Sequence, residues 1–151
     1  TEVVLRAYVE YGDEVVAHLD GMYSFVVHDA RRRRLFGAVD RFAIKPLYYA
    51  QRGRAFAFAT ELKALLALPW LDRRIDRQAL WDALSFHCVP APRSILAGAR
   101  KLGPAETFAL DTDDGALARR AYWTPAIADE PSEGEAGAST GDGGERAGRC
   151  R

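Results

Sequence analysis

Few residues of this 151-residue chain combine a reactive type with a useful spacing. Thr1 could act as a nucleophile, with its own amine as general base. A helical pattern starts at the same residue and would constrain that amine, so Thr1 reads as a helix start. His87-Cys88 offers a thiol beside a base. Adjacent side chains at a helix end point apart, so Cys88 reads as a core cysteine beside a polar loop. His18, His28, His87, Cys88 and Cys150 lack zinc-ligand spacing, and no metal site is expected. No glycine-rich stretch joins a strand to a helix, so no phosphate cradle is expected. Arg31-Arg32-Arg33-Arg34 suggests a nucleic-acid contact. Four arginines on alternating sides of a hairpin tip make no continuous patch, and a solvated turn is the simpler reading.

Asp40-Arg41 stands apart. The pair leaves a strand and enters the loop Phe42-Ala43-Ile44-Lys45-Pro46. A carboxylate among Phe36, Phe42, Leu47 and Tyr48 needs partners. An ion pair that fixes the loop is the first expectation. More generally, Asp40 should anchor the loop by charge-assisted hydrogen bonds to Arg41, Lys45 or backbone N–H groups. Lys45-Pro46 should set the direction of the next strand, because proline fixes φ and biases its predecessor to extended geometry.

The elements that must position this loop follow from periodicity. Val4, Tyr8, Tyr11, Val15 and Leu19 recur at three and four, predicting a helix near 1–11, a break at Gly12-Asp13 and a short second helix. Residues 22–28 switch to a period of two, with Tyr23, Phe25 and Val27 on one apolar face, as in a buried strand. A turn at 29–32 returns to a strand at 35–39. A second hairpin runs 47–51 and 55–59 around Arg52-Gly53. Strands 22–28 and 47–59 are the segments expected to resist hydrogen exchange best. Thr60 is the expected cap of a helix over 61–66, ended by Pro69. Asp76 should cap a helix reaching Phe86, with Ile75 and Leu80 as a hydrophobic staple. Short strands are expected near 107–110 and 118–122. The fold class is α+β, with antiparallel hairpins flanked by helices.

Lysine plus arginine and aspartate plus glutamate both number 21, so the net charge is zero, which argues against a general nucleic-acid binder. No apolar run approaches the roughly 18 residues of a membrane span. No signal-peptide layout is visible. Two cysteines make no disulfide framework, which points to a reducing, cytoplasmic compartment. From Asp129 to Arg151 there is no Val, Ile, Leu, Met, Phe, Trp or Tyr. Such a segment has too little apolar surface to offset its ordering, so 126–151 reads as a disordered or frame-shifted tail and 1–125 as the folded domain. The start at Thr1 within a helical pattern suggests a piece of a longer protein.

Several strings together carry a resemblance. They are Thr1-Glu2-Val3-Val4-Leu5, Leu19 to Phe25, Asp40 to Ala50, and Phe58 to Leu66. Further on come Pro90-Ala91-Pro92-Arg93-Ser94-Ile95, Arg100-Lys101-Leu102-Gly103-Pro104 and Tyr122-Trp123. In this order they closely resemble the glutamine-hydrolysing asparagine synthetases, in the second half of their class II glutamine amidotransferase domain. The resemblance implies part of an N-terminal-nucleophile hydrolase sandwich of αββα type. It implies a parent enzyme that releases ammonia from glutamine at an N-terminal cysteine and uses ATP and magnesium to amidate aspartate in a synthetase domain. A homodimeric parent is among the arrangements it allows. It leaves this chain no catalytic residue and no cofactor, since no cysteine precedes Cys88 and no Ser-Gly-Gly-Leu-Asp-Ser loop is present. Thr1 and Glu2 would border the truncated glutamine pocket, and Asp40, Arg41, Lys45 and Pro46 would form a structural loop near the domain junction. Three departures stand out. Family members usually carry arginine at Val39, glycine at Ala43, and Leu-Pro-Pro-Gly where this chain reads Leu102-Gly103-Pro104-Ala105. The alternatives are a non-catalytic scaffold or binding module of the same descent, or a related amide ligase such as a β-lactam synthetase or lasso-peptide cyclase.

Overall fold

In the computed structural model, which describes residues 1–126, the chain opens with helix α1 (Glu2–Tyr11). Tyr8 turns inward and is buried, while Val3 and Val9 face out. Gly12 ends the helix at a φ of 59°, a conformation that glycine adopts without steric cost. A 3₁₀ turn over Gly12–His18 follows and buries Val15 and Val16.

Seven strands then form two antiparallel sheets. One sheet has the order β1 (Ser24–Asp29), β2 (Arg34–Val39), β6 (Glu106–Asp111), β7 (Leu117–Ala121). The other has the order β4 (Ala55–Ala59), β3 (Tyr48–Arg52), β5 (Arg100–Lys101). Three cores define the layers. Tyr8, Val15, Val27, Phe36 and Ala38 pack the N-terminal helices onto the outer face of the four-stranded sheet. Val39, Leu47, Leu102, Phe108 and Leu110 fill the space between the sheets. There the Phe108 ring meets Tyr49 and Phe56, with centroids 6.5 and 5.4 Å away. Ala50, Leu65, Leu71 and Leu96 lie beyond the three-stranded sheet, beneath α2 (Leu62–Leu65). The strand alternation makes this possible: Tyr49 and Phe56 face one layer, Tyr48, Ala57 and Ala59 the other.

Gly37 of β2 is paired directly with Phe108 of β6, and the Phe108 ring lies over it. A Cβ there would stand 2.6 Å from Phe108 Cζ and 2.8 Å from Cδ1, so only glycine fits.

Several expectations change. The first strand starts at Ser24 and lies at a sheet edge, which leaves Tyr23 and Phe25 half-buried. Thr60 does not cap α2; Glu61 holds that position, without a side-chain cap bond. Asp76 does cap α3 (Arg77–Phe86), accepting from the N–H groups of Gln78 and Ala79 at 2.9 and 3.1 Å. The staple residues Ile75 and Leu80 are 52% and 45% exposed, too open for a tight clasp. Arg31, Arg32 and Arg33 are exposed, as a solvated turn requires, and Arg34 alone departs from that expectation. Arg34 belongs to β2, is half-buried, bonds Asp13 and donates to Tyr8 Oη at 3.0 Å. Arg33 pairs with Asp113. Cys88 is exposed rather than part of a core. The tail read over 126–151 lies, past Ala126, outside the described residues.

Candidate functional site

The loop after β2 is held by one carboxylate. Asp40 is only 2% exposed. Its Oδ1 accepts the N–H of Phe42 at 3.0 Å and of Ile44 at 3.2 Å, and its Oδ2 accepts the N–H of Tyr23 at 3.3 Å. Burial alone would push this carboxyl up. The N–H groups of Phe42, Ile44, Lys45 and Tyr23 outweigh burial and hold it below the usual carboxylate range. The main chain of Asp40 works as well. Its N–H donates to Tyr23 O at 3.0 Å, and its carbonyl accepts from Ala43 N and Ala105 N, both at 3.0 Å. Backbone donors, not the Arg41 guanidinium, therefore satisfy Asp40. The Arg41 side chain points away, 3.5 Å from exposed Asp20.

This arrangement fixes the backbone and turns side chains outward. Phe42 and Ile44 are 69% and 60% exposed, although their own N–H groups are tied to Asp40. Phe42 meets the Trp123 ring edge-on at 5.7 Å between centroids, and Arg41 lies 5.9 Å over the same ring. The tie to the end of the domain goes deeper. Tyr122 Oη donates to Val39 O at 2.8 Å, which leaves Tyr23 Oη to donate to Tyr122 Oη, also at 2.8 Å. Burial, then the bond with Tyr23, raises the Tyr122 hydroxyl well above the usual phenol range. Tyr122 N also donates to Ala105 O at 2.8 Å. Tyr23, Asp40, Ala105 and Tyr122 thus form one cluster. Sequence reading identified Asp40 within it, but not the tyrosine pair.

Pro46 is half-buried, and past it Leu47 O accepts from Leu102 N at 2.8 Å, so the strand leaves toward β5. Lys45 is exposed and lines an open groove along the free edge of β1, shared with Thr1, Val4, Met22, Tyr23 and Ser24. Thr1 is the exposed N-cap position of α1 and makes no side-chain cap bond. Glu2 is not in the groove lining, and its carboxylate is bound by Arg6 at 2.7 Å. His87 takes a left-handed conformation at the end of α3, and both it and Cys88 are exposed. His18 stacks on Tyr11 at 3.8 Å.

Ala43 and Ala105, at positions where glycine is the expected residue, have φ of 50° and 52°. Both donate to Asp40 O. The backbone keeps a glycine-like shape at each position although each carries a methyl group.

Comparison with known sequences decides the family. The glutamine amidotransferase domain profile matches residues 1–123. The chain belongs to this family. Asparagine synthetase [glutamine-hydrolyzing] 3 of Bacillus subtilis is 36% identical over 124 residues, covering 82% of this chain and 20% of the relative. Asparagine synthetase [glutamine-hydrolyzing] 1 of the same organism is 36% identical over 123 residues, covering 82% and 19%. A putative asparagine synthetase [glutamine-hydrolyzing] 2 of Methanocaldococcus jannaschii is 33% identical over 127 residues, covering 82% and 24%. The chain spans about a fifth of the length of these relatives. In this glutamine amidotransferase domain, no helix of the described residues is long and apolar enough to cross a membrane.

Proposed function

We propose that this chain forms the second half of the glutaminase domain of a glutamine-hydrolysing asparagine synthetase. The observation that carries the reading is the match over residues 1–123 together with identities of 33–36% to proteins of that name. The layer order helix, sheet, sheet, helix supports an N-terminal-nucleophile hydrolase sandwich, of which these residues supply part. In this reading glutamine and aspartate are substrates of the complete protein, and the chain contributes scaffold rather than a reacting group. Thr1 and Lys45, on the open groove at the edge of β1, border the region where the glutamine pocket is completed. The loop Asp40–Pro46, tied to Tyr122 and Trp123 at the end of the domain, faces the synthetase domain. In this reading ATP and magnesium belong to that second domain.

The test is a chimera. Residues 1–123 replace their counterpart in asparagine synthetase 3 of Bacillus subtilis, and asparagine formation is compared with glutamine or ammonium as nitrogen source. The reading predicts that both sources work. A folded chimera that uses ammonium and not glutamine would contradict it, and would favour a non-catalytic scaffold.

A further inference from the structure

We propose that the cleft between β3, β5 and β7 binds a small molecule through a dianionic phosphate group, held by Arg100 and Arg119. The proposal does not depend on the glutaminase reading above. The cleft has a volume of about 560 Å³, within the range of small-molecule sites, and Tyr49, Gln51, Gly98, Arg100, Leu117 and Arg119 are among its walls. Strand register brings both arginines into it. Arg100 of β5 stands directly opposite Tyr49 of β3, and Arg119 of β7 directly opposite Phe108 of β6. Residues directly opposite in an antiparallel pair share one face of their sheet. Tyr49 and Phe108 meet between the sheets, so the two arginines enter the same interlayer space from opposite sheets.

The surroundings of these arginines select the ligand. No acidic side chain lines the cleft. Among the described residues neither guanidinium donates a hydrogen bond, and the nearest carboxylate is Glu106, 3.9 Å from Arg119 Nη1 and already accepting the Gly103 N–H at 2.8 Å. Two guanidinium forks therefore face the cleft with their donors free. A carboxylate lies in one plane and is saturated by a single fork, whereas the terminal oxygens of a phosphate accept forks from two directions. The two charges of a phosphate monoester also balance the two arginines. Tyr49 is only 4% exposed and lines the cleft, and its hydroxyl has no hydrogen-bond partner among the described residues, which adds a third donor. Leu117 gives the organic part of the molecule an apolar wall. The frame is set before any ligand enters. The Gln51 side-chain amide donates to Gly115 O at 2.6 Å and ties the β3–β4 hairpin to the β6–β7 hairpin. This fixes the spacing of the arginine-bearing strands and lowers the entropic cost of binding.

Titration of the 151-residue chain with inorganic phosphate and with phenyl phosphate, followed by amide chemical shifts at constant ionic strength, tests this. The expected dissociation constant for inorganic phosphate is on the order of a millimolar, with phenyl phosphate tighter. The shifts should centre on 49–51, 97–100 and 117–119. Acetate and succinate should bind at least about tenfold more weakly than phosphate. Arg100→Gln and Arg119→Gln should each weaken phosphate binding about tenfold, and Tyr49→Phe about threefold, with little change in thermal midpoint. Arg52→Gln and Arg54→Gln, on the neighbouring hairpin tip outside the cleft lining, should leave it within about twofold, which separates a site from the general attraction of a basic surface. Should a glutamine variant fail to fold, the shift map of the natural chain decides alone. Succinate binding as tightly as phosphate, shifts spread over the exposed arginines at 31–33, or phosphate binding unchanged in both Arg100→Gln and Arg119→Gln overturns the proposal.

Discussion

Asp40 is almost fully buried and accepts more hydrogen bonds than any other residue of the site, and we propose that its role is architectural. Three backbone N–H groups converge on its carboxylate, and two more on its carbonyl. Asp40→Ala leaves those donors unpaired and should cost about 1–3 kcal/mol, read as a lower urea midpoint. The pH dependence follows from the lowered carboxyl. A carboxyl that is more acidic when folded stabilises the fold fully above its unfolded value near pH 4, and the contribution is lost as pH falls through the folded value. Acid unfolding of Asp40→Asn should therefore show a shallower loss of stability below roughly pH 4 than the natural chain. Asp40 should matter little for glutamine affinity in a complete enzyme. If stability holds while the glutamine KM of the chimera rises tenfold, Asp40 is a ligand residue instead. Ala43 offers the opposite sign. Its φ of 50° strains an L-residue. Ala43→Gly should raise stability by about 0.5–1 kcal/mol, measured by thermal unfolding, with part of the relief offset by glycine's freedom in the unfolded chain. The Asp40 anchor was legible because a carboxylate stood among large apolar residues. The tyrosine pair was not, because Tyr23 and Tyr122 lie 99 positions apart and no local pattern links them.

At the scale of elements, periodicity reported type better than place. The two hairpins and the Asp76 cap follow from alternation and from a side chain that satisfies orphan N–H groups, both local properties. Sheet order is not local. The apolar face of Tyr23, Phe25 and Val27 reads as a central strand, yet β1 lies at the edge, while β2 and β6 occupy the middle. Hydrogen exchange should therefore be slowest at 34–39 and 106–111 rather than at 22–28. The same central pair explains Gly37. Gly37→Ala drives a methyl group into the Phe108 ring between the sheets and should destabilise by about 2–3 kcal/mol in chemical unfolding. Cys88 departs from its expected place for a related reason. Its residue type suits a core, but α3 makes too little contact with the sheets to bury its end.

For the whole molecule, the central claim is that this glutamine amidotransferase half-domain contributes structure and no reacting group. Its sheets pack through Phe108, Tyr49 and Phe56, its terminal Tyr122 and Trp123 close onto the Asp40 loop, and one edge of β1 stays open beside Thr1 and Lys45. In the proposed reading the rest of a glutaminase domain pairs at this open edge, whose strand presents free N–H and C=O groups. The most direct test is ammonia release from glutamine, followed side by side for the 151-residue chain alone and for the chimera that carries residues 1–123. The account predicts no release above a heat-killed control from the chain alone, and turnover within about tenfold of the parent enzyme from the chimera. Release by the isolated chain would return Thr1 or Cys88 to consideration as a nucleophile and contradict the account, as would a folded chimera that releases none.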